Sequence, residues 1–328
     1  MNLHTYKEAL FTLNTSQDFE ILALWAFSYQ YNYNPVYRKF VDLTERKDVK
    51  TVDDIPFLPI SFFKTNEVIC DYVTAEIIFK SSGTTGQRTS THFIQDVLLY
   101  EKSCDAGFEF FFEKKPSEFS FLCLLPSYLE RGNSSLVYMA QHFIEQSTFS
   151  NSGFYLKAND LLIEQIRENE KNKIPTILLG VTYALLDLSE KLNIQLQYTH
   201  VMETGGMKGR RKEMIREELH HLLKKSFGVD QIYSEYGMTE LLSQAYLRKD
   251  GLFMPPPWMK IFIRDIHDPF QKAGHNRTGG INVIDLANIH SCCFIETQDL
   301  GMTYHDNTFS VLGRFDHSDM RGCNLMIE

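Results

Sequence analysis

The seven residues Lys80-Ser81-Ser82-Gly83-Thr84-Thr85-Gly86 carry the first chemistry that the chain offers. Two glycines let backbone N–H groups converge on phosphate oxygens, and four hydroxyls can donate to the same oxygens. The G-x-x-x-x-G-K-[ST] pattern of a Walker loop is absent, so this is a different kind of phosphate loop. Glu235-Tyr236-Gly237-Met238-Thr239-Glu240 offers an aromatic face suited to a purine and a carboxylate suited to a hard cation that also binds phosphate. In Glu203-Thr204-Gly205-Gly206 the glycines let the backbone approach a flat ring, and the basic residues 207–212 follow. Thr297-Gln298-Asp299 supplies a carboxylate able to accept two hydroxyl hydrogen bonds, and Gly313-Arg314-Phe315-Asp316 comes soon after.

The elements around these segments alternate. The start reads as helical, with Asp18 as a cap and Phe19, Leu22, Trp25, Ala26 and Tyr29 at helical spacing. Residues 48–61, with their prolines and paired aspartates, read as a connection. Residues 76–80 read as a strand, 94–113 as a helix, 119–125 and 174–179 as buried strands, and 183–192 as a helix. A strand over 197–202, an amphipathic helix over 209–226 and a strand over 231–234 follow. Strands and helices taking turns predict an α/β fold with a largely parallel sheet flanked by helices. After Pro255-Pro256-Pro257 the helical period vanishes, and 279–286, 291–297 and 308–312 read as strands of a small β-rich subdomain. The expected division is an N-terminal helical region, 1–75, packed on the core; a nucleotide-binding α/β core, 76–254; and a β-rich subdomain with a short tail, 255–328.

Apolar residues at 43% and charged residues at 23% suit an ordinary folded domain. A net charge of −9 lacks the basic footprint of a general nucleic-acid binder but leaves a local nucleotide site open. None of the six cysteines, Cys70, Cys104, Cys123, Cys292, Cys293 and Cys323, forms a C-x-x-C pair, which argues against zinc. Cys292-Cys293 reads as mid-strand core. Free thiols in a reducing cytoplasm are the default, with no secretory signal at the start and no apolar run approaching the ~18 residues of a membrane span. His220-His221 lacks an H-E-x-x-H partner pattern, and no G-x-S-x-G elbow exists. The run from Phe108 to Phe112 reads as core packing, with an acyl pocket as the other reading.

Taken in order, these segments resemble the adenylate-forming superfamily of acyl-CoA synthetases, firefly luciferase and peptide-synthetase adenylation domains. The resemblance covers roughly residues 76–328, and it implies that superfamily's large-domain fold and ATP with Mg²⁺ as cofactors. It places Ser81, Ser82, Gly83, Thr84, Thr85 and Gly86 around the phosphates, Gly205 and Gly206 at the adenine pocket, and Tyr236 with Gly237 near the adenine. It further places Thr239 at the α-phosphate, Glu240 on Mg²⁺, and Asp299 with Arg314 at the ribose.

The chain departs from the common members in two places. Gln87-Arg88-Thr89-Ser90 stands where a Pro-Lys usually follows the loop, and Arg88 is the candidate to do that lysine's work. No lysine follows Lys272, so the expectation is a chain without the usual C-terminal domain, whose catalytic lysine is replaced from within the chain or by a separate protein, or is missed at a cost in rate. A short branch with this outline is the acyl-protein synthetase family of bacterial luminescence operons, the long-chain-fatty-acid–luciferin-component ligases. Similarity to it implies a fatty acid as the carboxylic acid substrate, a partner acyl-reductase or acyl-carrier protein, and acyl transfer to a C-terminal cysteine. Here that residue is Cys323, beside Arg321, whose charge favours a thiolate. Two alternatives stand beside it: a ligase that passes the acyl group to coenzyme A, a carrier protein or an amine, as in aryl-CoA ligases for phenylacetate, and a nucleotide- or acyl-binding subunit without turnover.

Overall fold

The computed structural model describes residues 1–70, 74–81, 88–126, 133–192, 194–205 and 214–315. Two units emerge, one of residues 1–73 with 257–328 and the other of residues 74–256. The expected three-part division is thereby regrouped, because the N-terminal helices and the β-rich C-terminal residues form one unit.

In that unit α1 (Leu3–Leu10), α2 (Ser16–Tyr33) and α3 (Pro35–Leu43) lead to a two-residue strand β1 (Leu58–Pro59) and a short helix α4 (Phe62–Thr65). The α2 cap is Thr15 rather than Asp18. Thr15 Oγ1 accepts from the Asp18 N–H at 3.1 Å while the Asp18 carboxylate accepts from the Thr15 N–H at 3.1 Å, a reciprocal capping box.

The second unit begins with β2 (Ile77–Lys80) and β3 (Thr91–Ile94), an antiparallel pair whose second strand the sequence reading missed. Then come α5 (Val97–Phe112), β4 (Ser120–Leu124), α6 (Ser135–Gln146), β5 (Gly153–Tyr155), α7 (Asp160–Lys171), β6 (Thr176–Gly180) and α8 (Thr182–Ser189). After them lie β7 (Thr199–Glu203), α9 (Arg216–Phe227), β8 (Tyr233–Tyr236), β9 (Ala245–Leu247) and β10 (Phe253–Met254). Their sheet runs β5-β4-β6-β7-β8-β9-β10. The first five strands are parallel, and β9 and β10 are antiparallel, so the sheet is mixed. Every residue of β4 and β6 is buried, which is why both read as near-continuous apolar runs. α9 starts at Arg216, with Glu217 and Glu218 in its first turn and Lys224 and Lys225 in its last, charges that complement the helix dipole. Residues 206–213, where the sequence reading began this helix, lie outside the described residues. Of the Phe run on α5, Phe108 is buried against Phe119, Phe121 and Phe143, whereas Phe110 is exposed.

Returning to the first unit, β11 (Met259–Arg264), β12 (Gly279–Asp285), β13 (Phe294–Thr303) and β14 (Phe309–Arg314) form an antiparallel ladder, and β1 joins β13 in parallel. The N-terminal helices fasten to the turn between β12 and β13. Tyr6 Oη donates to the Leu286 carbonyl at 2.8 Å, Gln30 Nε2 to the Asn288 and Ile289 carbonyls at 3.0 Å, and Asn34 Nδ2 to the Ser291 carbonyl at 2.8 Å. Tyr37 stacks on Phe294. These buried polar groups must be satisfied, and the turn carbonyls satisfy them; this is the physical reason the helices belong with the β-rich residues. Cys292 and Cys293 sit in this buried turn just before β13, not in mid-strand as the sequence suggested.

Candidate active site

In the second unit, the expected nucleotide-binding segments lie at the C-terminal ends of β7 and β8, the end of a parallel sheet where ligands bind. β7 ends at Glu203, and the chain turns through Thr204 and Gly205. The Thr204 N–H donates to the Gly180 carbonyl at 3.1 Å. Gly205 has φ +75°, a conformation that favours glycine, and a Cβ built on it would meet no other described residue within 4 Å. The Thr204 hydroxyl is buried and has no hydrogen-bond partner among the described residues. A buried hydroxyl without a partner among the described residues fits a polar ligand at this turn. Gly206 and the basic residues 207–212 lie outside the described residues.

Behind the turn is a buried cluster that sequence reasoning missed. Glu203 accepts from Ser234 Oγ at 2.5 Å, from the Gly205 N–H at 2.7 Å and from Thr182 Oγ1 at 3.2 Å. His220 Nε2 lies 3.5 Å and Arg216 Nε 4.0 Å from the same carboxylate. Burial works to raise the Glu203 pKa, but hydrogen bonds with His220 and Ser234, the His220 charge and the Gly205 N–H together hold it below the usual carboxylate range. Ser234 gives its proton to Glu203, so it accepts from His220 Nε2 at 3.2 Å. The histidine therefore cannot activate the serine, and the cluster holds the Gly205 turn rather than doing nucleophilic chemistry. The only sequence signal for it was a carboxylate at a strand end just before two glycines.

At the end of β8 the Tyr236 ring is mostly buried, 5.7 Å from the Phe253 ring, and the Arg216 guanidinium lies over the other ring at 4.9 Å. Thr239 and Glu240 follow, and the Glu240 carboxyl is buried. His92, fully buried on β3, donates from Nδ1 to the Thr239 carbonyl at 2.8 Å. This bond ties the β2–β3 hairpin, in which the expected phosphate loop falls, to the Thr239-Glu240 segment. A single histidine in a Ser/Thr-rich stretch gave no sign of it. The hairpin itself is closed at its base, where the Ser81 N–H donates to the Ser90 carbonyl at 3.0 Å and the Ser90 N–H to Ser81 Oγ at 2.9 Å. Ser82, Gly83, Thr84, Thr85 and Gly86 lie outside the described residues; Arg88, just beyond them, is exposed.

Glu235, between Ser234 and Tyr236, points to the opposite face of β8. A Cβ on Gly237 would collide with its Oε1, so glycine is what lets this carboxyl fold against the backbone. Burial, and then the charge of Glu203, push its pKa up to about 8. Folding therefore favours the protonated form. The penalty for ionising it is absent below about pH 4.5, grows as pH rises, and is complete above about pH 8. Glu235→Gln is expected to remove this dependence. In urea unfolding the variant should gain about 2–4 kcal/mol on wild type between pH 5 and pH 8.5. Parallel stability curves for the two proteins would refute the shift.

In the first unit, Asp299 on β13 and Arg314 on β14 are cross-strand partners, with Arg314 Nε donating to Asp299 Oδ1 at 3.2 Å. Asp299 is buried while the Arg314 side chain is exposed, so the pair presents a carboxylate with its cation at one ladder position. Thr297 fixes the carboxylate's strand. Its Oγ1 accepts from the Asp299 N–H at 3.1 Å, and its carbonyl accepts from Arg264 Nη2 at 2.7 Å. The two residues that the sequence resemblance put on ribose hydroxyls are thus brought together.

The described cysteines, Cys70, Cys104, Cys123, Cys292 and Cys293, are all buried and none is in a disulfide. Burial raises the thiol pKa of Cys104, Cys123, Cys292 and Cys293, which keeps them as inert thiols. Cys323 lies outside the described residues. Among the described residues, no helix is long and apolar enough to cross a membrane.

A family model described as acyl-protein synthetase, LuxE, matches residues 11–328 of the chain. No curated protein matches it. Among solved structures, the fold is similar to a 2-hydroxyisobutyryl-CoA ligase in the postadenylation state in complex with 2-HIB-AMP. That likeness has a TM-score of 0.68 and 13% identity, and covers 92% of this chain and 68% of the other. ATP-bound MatB from Rhodopseudomonas palustris is similar at a TM-score of 0.52 and 17% identity, over 74% of this chain and 49% of its own. The amide bond synthetase McbA from Marinactinospora thermotolerans is similar at 0.51 and 16%, over 72% and 48%. At these identities the likeness is one of fold.

Proposed function

The chain belongs to the acyl-protein synthetase family, as the order of its motifs implied, and from that premise we propose that it activates a fatty acid with ATP and passes the acyl group to its own Cys323. The chain is an ATP-dependent enzyme that forms acyl-adenylates. The observation that carries the assignment of its reacting end is the placing of Gly205, Tyr236, Thr239 and Glu240 at the C-terminal ends of two adjacent parallel strands, with His92 linking Thr239 to the phosphate-loop hairpin.

A carboxylate oxygen of the acid attacks the α-phosphorus of ATP, the bond to the β-phosphate oxygen breaks, and pyrophosphate leaves. Tyr236 and the Gly205 turn hold the adenine, and Asp299 with Arg314 holds the ribose. The loop hydroxyls of Ser81, Ser82, Thr84 and Thr85 and the Thr239 side chain donate to oxygens on which negative charge builds, so their contribution is electrostatic preorganisation. Arg88 takes the role of the lysine that usually follows the loop. Glu240 would hold Mg²⁺, which supplies charge neutralisation on the phosphates. Among the described residues no three His, Cys, Asp or Glu side chains are grouped to hold a metal, so phosphate and water would complete its shell.

In the second step the Cys323 thiolate attacks the acyl carbonyl carbon and AMP leaves, giving a thioester. The support for this cysteine is that the five described ones are buried thiols. A partner acyl-reductase or acyl-carrier protein in the cytoplasm would then take the acyl group.

Incubation with ATP, Mg²⁺ and acids from acetate to myristate, read by pyrophosphate release and intact mass, tests the reading. Wild type should gain an acyl mass, and Cys323→Ser should release pyrophosphate without gaining it. Pyrophosphate release with no adduct on wild type would move the acceptor to coenzyme A, a carrier or an amine. Absence of pyrophosphate with every acid would overturn the adenylation assignment.

A further inference from the structure

The end of the sheet opposite the candidate active site carries a cleft. Its walls come from residues that immediately precede or begin the parallel strands: Phe119 before β4, Pro175 before β6, Tyr198 and His200 at β7, and Gln231 and Tyr233 at β8. The end of α5 closes one side with Phe111 and Phe112. The cleft is open to solvent along one side and has a volume of about 610 Å³, within the range of small-molecule sites. Five-residue strands such as β7 separate it from the Gly205 turn by roughly 16 Å at about 3.3 Å per residue, so a molecule here is not the one being adenylated.

The lining has two kinds of chemistry. Phe111, Phe112 and Tyr233 form a partly exposed aromatic wall, with ring centroids 4.9 Å, 5.5 Å and 6.0 Å apart in pairs. Around it stand three cations, Lys114, Arg248 and Lys249, against one carboxylate, Glu113. Arg248 is paired to Asp250 at 2.5 Å. Lys114 and Lys249 make no ion pair among the described residues. His200 lies edge-on to Tyr233, 5.2 Å away, with no hydrogen-bond partner among the described residues. Burial, and then the charge of Lys114, hold its pKa below the usual histidine range. An anion between Lys114 and His200 would relieve the field that now opposes the imidazolium.

We propose that this cleft is a second binding site, taking a small anion on an apolar body: a carboxylate or phosphate head set among Lys114, Lys249 and His200, with its chain or ring on Phe111, Phe112 and Tyr233. The inference is independent of the adenylation reading, because it rests on residues at the other end of the strands.

The test uses the full chain labelled in its histidine rings, without ATP, with the His200 resonance assigned through His200→Gln. Sodium decanoate, decyl phosphate and decanol are titrated separately. At least one of the anions should shift the His200 signal saturably and raise its pKa by roughly one unit, and decanol should not; the tighter anion identifies the head group. Lys114→Gln with Lys249→Gln should weaken that binding at least about tenfold and leave pyrophosphate release as in wild type. No saturable shift with either anion, an equal response to decanol, or undiminished binding by the double variant would each overturn the site.

Discussion

Glu240→Gln is expected to slow ATP-dependent pyrophosphate release by about 10²–10³-fold, equivalent to ~3–4 kcal/mol of lost transition-state stabilisation. Glutamine keeps the shape of the side chain and removes the charge that would hold a hard cation on the phosphates. The buried setting strengthens the effect, since a charge shielded from water acts through a lower dielectric. If Glu240 holds Mg²⁺, the loss should be partly recovered at high Mg²⁺, because the substitution would weaken metal binding without removing the phosphate ligands. Rates within threefold of wild type at ordinary Mg²⁺ would move the metal to another residue. A melting curve for the variant separates this outcome from misfolding.

Glu203→Ala should cost about 3–5 kcal/mol of stability in urea unfolding, with loss of activity following from the loosened Gly205 turn. The reason is the number of donors that converge on one buried carboxylate. Ser234, Thr182 and the Gly205 N–H all lose their acceptor at once, His220 loses its neighbouring carboxylate and Arg216 its counter-charge. The Glu203 pKa is depressed in the folded chain, so its contribution is present above the ordinary glutamate range and is lost as pH falls through the folded value. The gap between wild type and the alanine variant should therefore narrow in acid. A difference below about 1 kcal/mol at neutral pH would mean that the cluster carries no structural weight.

By itself the sequence determined the class of chemistry and the elements that are written locally. The segments around Ser81, Tyr236, Asp299 and Arg314 were legible because their residue types and order resemble the motifs of the adenylate-forming superfamily. The buried strands β4 and β6 were legible because a strand covered on both faces is apolar throughout. α9 was legible because its one buried face repeats with the helical period. Tertiary structure decided the pairings between distant positions. β3 was hidden because its pattern depends on antiparallel pairing with β2, and Thr15 displaced Asp18 as a cap because each side chain accepts from the other's backbone N–H. Residues 1–73 joined residues 257–328 because Gln30 and Asn34 find their carbonyl partners more than 250 positions away. The roles of His92, His220 and Glu235 arise in the same way. A side chain's hydrogen bonds and its protonation depend on burial and on neighbours that only the folded chain brings within a few ångströms.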